Sequence, residues 1–197
     1  MPVIEYVEDR MESEELLERL CPPVRNWFKD KFPDFTEPQK VAIPRILNGE
    51  HLLLCSPTGS GKTLTAFLTI IDDLVRRSLD GSLPDAVQCV YISPIKALAN
   101  DIEKNLMGPL GEIKERYLPS RAKEIKVGLR TGDTPQSERE KMLRKPPHIL
   151  ITTPESLGLG LASKRFRPIL DQMKWFIIDE MHSLVPTKRG THLSLSM

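Results

Sequence analysis

The sequence is poor in cysteine and in aromatic side chains, has no excess of either charge and contains no long apolar run. Its three cysteines, Cys21, Cys55 and Cys89, are far apart and none belongs to a Cys-x-x-Cys pair. That excludes the spacing of a structural zinc site or of a disulfide framework. Cys55 and Cys89 lie in apolar runs and are expected in the core. Lys and Arg total 28 against 27 acidic residues, a net charge of +1. Such a balance excludes a general attraction to polyanions, so any nucleic-acid contact must come from a local patch or from backbone groups. No apolar stretch approaches the ~18 residues of a membrane span, and no signal peptide opens the chain. A soluble, reducing compartment, the cytoplasm, is the expectation.

What is present centres on Leu52-Leu53-Leu54-Cys55-Ser56-Pro57-Thr58-Gly59-Ser60-Gly61-Lys62-Thr63. An apolar run, a loop with two glycines, Lys-Thr and a helix-forming segment follow one another. This is the order of a strand, a phosphate-binding loop and a helix. Gly59 and Gly61 let the backbone approach a ligand closely. Successive N–H groups from Ser56, Pro57, Thr58, Gly59, Ser60 and Gly61 onward can then cradle oxyanions, helped by the helix N-terminus (Pro57 contributes shape, having no N–H). Lys62 supplies a full charge for the β/γ-phosphates of a nucleotide and Thr63 a hydroxyl for Mg2+. Ser56 stands where the general pattern begins with Gly.

The rest of the chain alternates helices and strands. Short amphipathic helices are expected from Ser13 and over Val24–Lys31, the first capped by Ser13 and ended by Pro22-Pro23, with Trp27 and Phe28 in the core. Thr36 has the position of an N-cap and Gln39 that of its capping-box partner, for a helix to Leu47. A long helix follows Lys62 to about Leu79. Further helices are expected at 96–107, from Leu110, at 137–143, at 154–162, at 166–173 and from Thr191. Strands are expected at His51–Cys55, Val87–Ile92, Ile125–Leu129, His148–Thr152 and Trp175–Ile178. Several are continuously apolar, which means a parallel sheet covered on both faces: an α/β fold. Ligands gather beyond the carboxyl ends of such strands, and every distinctive polar motif of this sequence stands at such an end. Residues 1–31 are expected to form an arm and short helices packed on a single lobe spanning 32–197.

Asp179-Glu180 directly follows the last apolar strand. A phosphate loop needs a carboxylate to hold Mg2+, and Asp179 fits that role. Glu180 can polarise a water for in-line attack on a γ-phosphate.

With these motifs placed, the sequence resembles superfamily 2 helicases of the DExH/DEAD-box kind. Asp179-Glu180-Met181-His182 is similar to their namesake motif, and their phosphate loops commonly lack the first Gly, as Ser56 does here. Thr36-Glu37-Pro38-Gln39 resembles the adenine-reading Q motif; the resemblance implies that Gln39 hydrogen-bonds the adenine edge, with Phe35 or Phe32 stacking nearby, alongside its capping role. Ser93-Pro94-Ile95-Lys96, Arg130-Thr131-Gly132-Asp133-Thr134 and Thr152-Thr153-Pro154-Glu155-Ser156-Leu157 resemble the nucleic-acid motifs. They imply backbone contacts from Ser93, Pro94, Lys96, Thr131, Thr153, Pro154, Glu155 and Ser156. His182 is implied to couple the nucleotide site to a second lobe. Lys188-Arg189-Gly190 is either a further backbone contact or an ordinary charged turn; His51 and His148 carry no assigned role. The wording of several motifs is closer still to the large helicase-related (Lhr) group, ATP-dependent 3′→5′ translocases on single-stranded DNA.

The resemblance implies a RecA-like P-loop lobe that binds ATP and Mg2+, with single-stranded DNA, or alternatively RNA, as partner. A P-loop ATPase that remodels proteins would share Lys62, Thr63 and Asp179 but gives no reason for Gln39 or Thr153-Pro154-Glu155. Family members use two such lobes, and the second, with its arginine fingers, has no counterpart in these 197 residues; a first lobe cut before its final strand, with an exposed sheet edge, is the expectation. One transition-state arginine is worth ~10³–10⁵ in rate. The chain alone is therefore expected to bind nucleotide weakly, hydrolyse it slowly and unwind nothing. Steady-state ATPase assays with and without single-stranded DNA check this, and robust DNA-stimulated turnover by the isolated chain overturns it.

Overall fold

In the computed structural model, which describes residues 9–57, 59–93 and 96–195 (the side chains of 96–105 and 192 apart), two prolines end one helix and open the next. α1 spans Ser13–Arg19, and α2 spans Pro22–Lys31 with proline in its first turn. Proline is tolerated there because that turn has no use for its missing N–H. Ser13 is the first helical residue and not the cap; its hydroxyl donates to Asp34, and Glu12 occupies the cap position.

Met1–Gly81 with Glu112–Ala122 form one unit, and Ser82–Gly111 with Lys123–Met197 a second. In the first, α1 and α2 pack with α3 (Glu37–Leu47) and α4 (Lys62–Asp80). Leu16, Leu20, Val24, Trp27 and Phe28 are buried. Phe28 stacks on Phe35 at 4.1 Å, and Phe32 lies 5.0 Å from Phe28. Asp72, buried in α4, accepts from the Cys21 N–H at 2.6 Å and from Arg76 Nε at 2.6 Å. A buried carboxylate needs such donors; the first ties the start of α2 to α4, and the second is an i,i+4 pair within α4. Burial, and then the charge of Asp72, pushes the Cys21 thiol up to about 12.

The expected strand at 51–55 does not form. Residues 51–57 are irregular, with Leu53 65 % exposed. A strand exists only through its neighbour, and no ladder among the described residues includes this segment. Cys55 is accordingly exposed, so the buried cysteines are Cys21 and Cys89. α5 runs unbroken over Lys96–Tyr117 with Pro109 inside it, where the sequence suggested two helices. Proline removes one backbone bond, and the buried stripe Leu106, Leu110 and Ile113 carries the helix through.

The second unit holds a parallel sheet in the order β2-β3-β1-β4. Its strands are β1 (Cys89–Ile92), β2 (Val127–Arg130), β3 (Ile149–Thr152) and β4 (Trp175–Ile178). Central β1 and β3 are wholly buried, whereas edge strands β2 and β4 are mostly half-buried. Val90, Ile92 and Leu150 pack with Leu157, Phe166, Leu184 and Leu193. These belong to α7 (Pro154–Leu161), the turn before a short 3-10 helix at Arg167–Leu170, α8 (Met181–Leu184) and α9 (Lys188–Ser194). α6 (Gln136–Arg144) completes the unit. Among the described residues no helix is long and apolar enough to cross a membrane.

His148 joins the entrances of β2 and β3: its Nδ1 accepts from the Lys126 N–H at 2.9 Å. Burial, and then the charges of Lys126 and Lys123, hold it well below its ordinary value, at about 4. Between 6.5 and 4 the unfolded chain therefore takes up a proton that the fold refuses. Stability present above pH 6.5 should fall as pH drops through this window, and His148→Gln should remove that part of the fall. Urea midpoints at pH 7, 5.5 and 4.5 for both proteins measure the difference; parallel pH profiles would contradict it.

Candidate functional site

In the first unit, Gly61 ends the loop and caps α4 in a left-handed conformation, φ +86°, and Gly59 has φ +80°. An L side chain resists these angles. Gly61 is also hemmed in: a Cβ there would lie 2.7 Å from Gln39 Nε2, whereas at Gly59 it would meet nothing within 4 Å. Gln39 is buried, and its Oε1 accepts from the Thr36 N–H at 2.9 Å, the capping-box geometry the spacing predicts. The Thr36 hydroxyl donates to the Ser60 carbonyl at 2.8 Å. Ser56 and Ser60 hydroxyls lie 2.6 Å apart. Lys62 Nζ reaches back to the carbonyls of Ser56 and of Pro57, the latter at 2.8 Å. Gln39, Ser56, Pro57, Ser60, Gly61 and Lys62 thus form one connected group, with Thr63 exposed at the start of α4. Thr58 lies outside the described residues. Phe35 has its ring against Phe28, so the structure assigns it to the core and not to a stacking role.

In the second unit, the register of the sheet decides the geometry. Arg130 pairs with Thr152, Thr152 with Ile92, and Ile92 with Ile178. The residues that follow, Thr131, Thr153, Ser93 and Asp179, therefore leave the sheet in one row. Backbone bonds hold that row: Ser93 N–H to Thr152 O at 3.0 Å and Asp179 N–H to Ile92 O at 2.9 Å.

The hydroxyls in the row face inward. Ser93, Thr131, Thr153 and Ser156 are all buried. Thr153 Oγ1 caps α7 by accepting from Ser156 N–H at 3.4 Å, and Thr131 Oγ1 accepts from Asp133 N–H at 3.3 Å. These side chains shape turns; what they leave at the surface is backbone and Glu155. Pro154 opens α7 and is buried. The Glu155 carboxylate is forked by Arg189 of α9, which holds it below the usual carboxylate range. Lys188-Arg189-Gly190 is thus more than a charged turn, since Arg189 locks α9 to the start of α7. Pro94 and the Lys96 side chain lie outside the described residues.

Asp179 is tightly placed. Its Oδ2 accepts from Tyr91 Oη at 2.6 Å and its Oδ1 from the Glu180 N–H at 2.9 Å. Burial, and then Asp179, push the Tyr91 phenol far above its ordinary value, so it remains a donor. The sequence motifs give the Tyr91 side chain no role of its own; the signal for one is a phenol inside a continuously apolar strand, which must find a polar partner. Glu180 has φ 49°, the one positive φ among the described non-glycine residues. This conformation costs of order 1–3 kcal/mol and persists where the surroundings enforce it. It turns the chain sharply from β4 into α8. His182 Nε2 lies 3.2 Å from Glu180 Oε2, with the imidazole 81 % exposed.

The DEAD/DEAH box helicase family pattern matches residues 36–197. ATP-dependent helicase Lhr-Core of Methanocaldococcus jannaschii is 48 % identical over 98 % of this chain. The protein of the same description from Methanothermobacter thermautotrophicus is 52 % identical over 99 %. The chain spans 23 % of the length of each. Among solved structures, Mycobacterium smegmatis helicase Lhr bound to ssDNA and AMP-PNP matches with a TM-score of 0.82 and 45 % identity, over 92 % of this chain and 23 % of that one.

Gly61→Ala should cost about 1 kcal/mol in urea unfolding. Most of that cost comes from the backbone angle, because Gln39 Nε2 is the movable end of a side chain. Adding Gln39→Ala should recover only the minor part, and full recovery would mean that contact, not conformation, requires the glycine.

Proposed function

The chain belongs to the DEAD/DEAH box helicase family, and from that premise we propose that it is the ATP-binding motor lobe of a helicase that moves 3′→5′ on single-stranded DNA. The observation that carries the reading is the Asp179–Glu180 corner: a carboxylate held at both oxygens beside a second one kept in a left-handed turn. The relative solved with ssDNA and AMP-PNP supports DNA and an adenine nucleotide as the ligands.

In this reading Lys62 exchanges its carbonyl partners for β/γ-phosphate oxygens, a charge-assisted bond replacing neutral ones. Gly59 and Gly61 expose their N–H groups to the same phosphates. Gln39, bonded to Thr36 and next to Gly61, offers its amide hydrogens to the adenine edge and links base recognition to the loop. Each oxygen of Asp179 accepts one hydrogen bond and so keeps a lone pair. Mg2+ needs only one or two protein oxygens beside phosphate and water; the Thr63 hydroxyl and the Asp179 carboxylate are each of the kind it takes, and when bound it would neutralise charge developing on the phosphates. Glu180 accepts the proton of the attacking water. His182, exposed and touching Glu180, is placed to report a facing second lobe to that base. Ser93, Thr131, Thr153 and Ser156 act through the turns they hold, which present backbone N–H groups to a sugar–phosphate chain without reading its bases. Pro94, Lys96, Pro154 and Glu155 complete that track.

Lys62→Ala should abolish binding of a fluorescent ATP analogue. Glu180→Gln in the full-length protein should retain binding and lose ~10²–10⁴-fold in DNA-stimulated turnover, the usual worth of a general base. Wild-type turnover in that variant would remove Glu180 from its role, and stronger stimulation by single-stranded RNA than DNA would reassign the substrate.

A further inference from the structure

Arg130 ends β2, and neither the nucleotide nor the nucleic-acid reading gives its side chain a task. It is 9 % exposed. Its guanidinium lies over the Phe166 ring, 4.5 Å from the centroid. Stacking of this kind engages the face of the guanidinium and leaves its N–H donors, which lie in the plane, for acceptors at the edge. Its Nε is buried with no hydrogen-bond partner among the described residues. Burial and the neighbouring charge of Arg139 hold its pKa below the ordinary value. The Nε atoms of Arg25, Arg45 and Arg77 likewise have no partner among the described residues, but each of those guanidinium groups donates through another nitrogen; a buried guanidinium in want of an acceptor calls for an explanation.

The explanation lies beside it. A cleft of about 260 Å³ opens between α6 and the turn at 163–166, lined by Arg130, Arg139, Arg165, Gln136 and Ser163. At roughly 30 Å³ per water, this is room for a tetrahedral oxyanion and several waters. Three guanidinium groups face it against one carboxylate, Glu140. That carboxylate already accepts from Arg165 at 3.3 and 3.4 Å and from Gln136 at 3.1 Å. Arg139 is fixed by the carbonyls of Thr134 at 2.8 Å, Gly132 at 2.9 Å and Thr131 at 3.1 Å. Its charge is therefore pre-positioned and costs little further ordering when an anion arrives.

The geometry points to a second phosphate-group site, separate from the loop around Lys62, in which Arg130 supplies the in-plane donors and Arg139 and Arg165 the surrounding charge. Arg165, exposed at the mouth, is free to turn from Glu140 to the ligand. The phosphate has two sources, a free phosphate ion or the backbone of a nucleic acid, and both offer the same oxygens to the fork.

The test uses the 15N-labelled 197-residue chain carrying Lys62→Ala, which silences the loop. The Arg130 Nε–H signal is identified by its disappearance in Arg130→Lys. Sodium phosphate, a single-stranded oligothymidylate and its uncharged methylphosphonate counterpart are titrated in turn, with sodium chloride as the ionic-strength control. A saturable shift with phosphate alone assigns a free phosphate. A saturable shift with the oligothymidylate, absent with the methylphosphonate, assigns a nucleic-acid backbone. In either case Arg130→Lys, followed through the Arg139 Nε–H signal at the same cleft, should weaken binding on the order of tenfold, the worth of a charge-assisted bond. Arg165→Ala, an exposed change with little bearing on folding, should weaken it a few-fold. An Arg130 signal unmoved by both phosphate probes, a shift matched by sodium chloride, or undiminished affinity in Arg165→Ala would each overturn the site.

Discussion

Parallel pairing at one register is the constraint on which the rest of the second unit depends. Because Arg130, Thr152, Ile92 and Ile178 are cross-strand partners, four segments far apart in the chain emerge together at one edge. A slip of one residue in any strand would move its motif by ~3.3 Å and turn its side chains to the opposite face. The buried faces prevent this: Val90, Ile92 and Leu150 are committed to the core under α7 and α9. Apolar packing thus sets the alignment of residues that contribute little apolar surface themselves.

The polar side chains in that row divide into two kinds. Ser93, Thr131, Thr153 and Ser156 are inside, and the last three are bonded within their own turns. Glu155, Glu180 and His182 are at or near the surface, each tied to one neighbour. The first kind gives the backbone its shape, and the second is what the surface presents. A motif written as a string of residues hides this difference, since a hydroxyl that caps a helix and one that touches phosphate are the same letter.

The first unit shows the same economy around Gly61. Its left-handed angle opens the helix that starts after it, and the Gln39 side chain lies against it. Gln39 is both the capping residue its spacing predicts and a neighbour of the loop.

Much was legible in the residues themselves. The α4 helix, the Thr36–Gln39 cap, the glycine conformations at 59 and 61, the α/β class and the four paired strands all follow from signals within a few residues: hydrophobic period, capping chemistry and tolerance of positive φ. What depended on distant partners was not. The segment at 51–55 looks like a strand by composition, but pairing decides strands, and the exposure of Cys55 follows from that. The inward turn of the hydroxyls and the unbroken α5 were set by packing. The bond from Tyr91 to Asp179 spans 88 positions, and the stacking of Arg130 on Phe166 joins a strand end to a remote turn. The sequence by itself determined which local conformations and which chemistries are available; the tertiary structure decided which side chains meet, because only the register of the sheet and the burial of its faces bring residues that far apart in the chain within bonding distance.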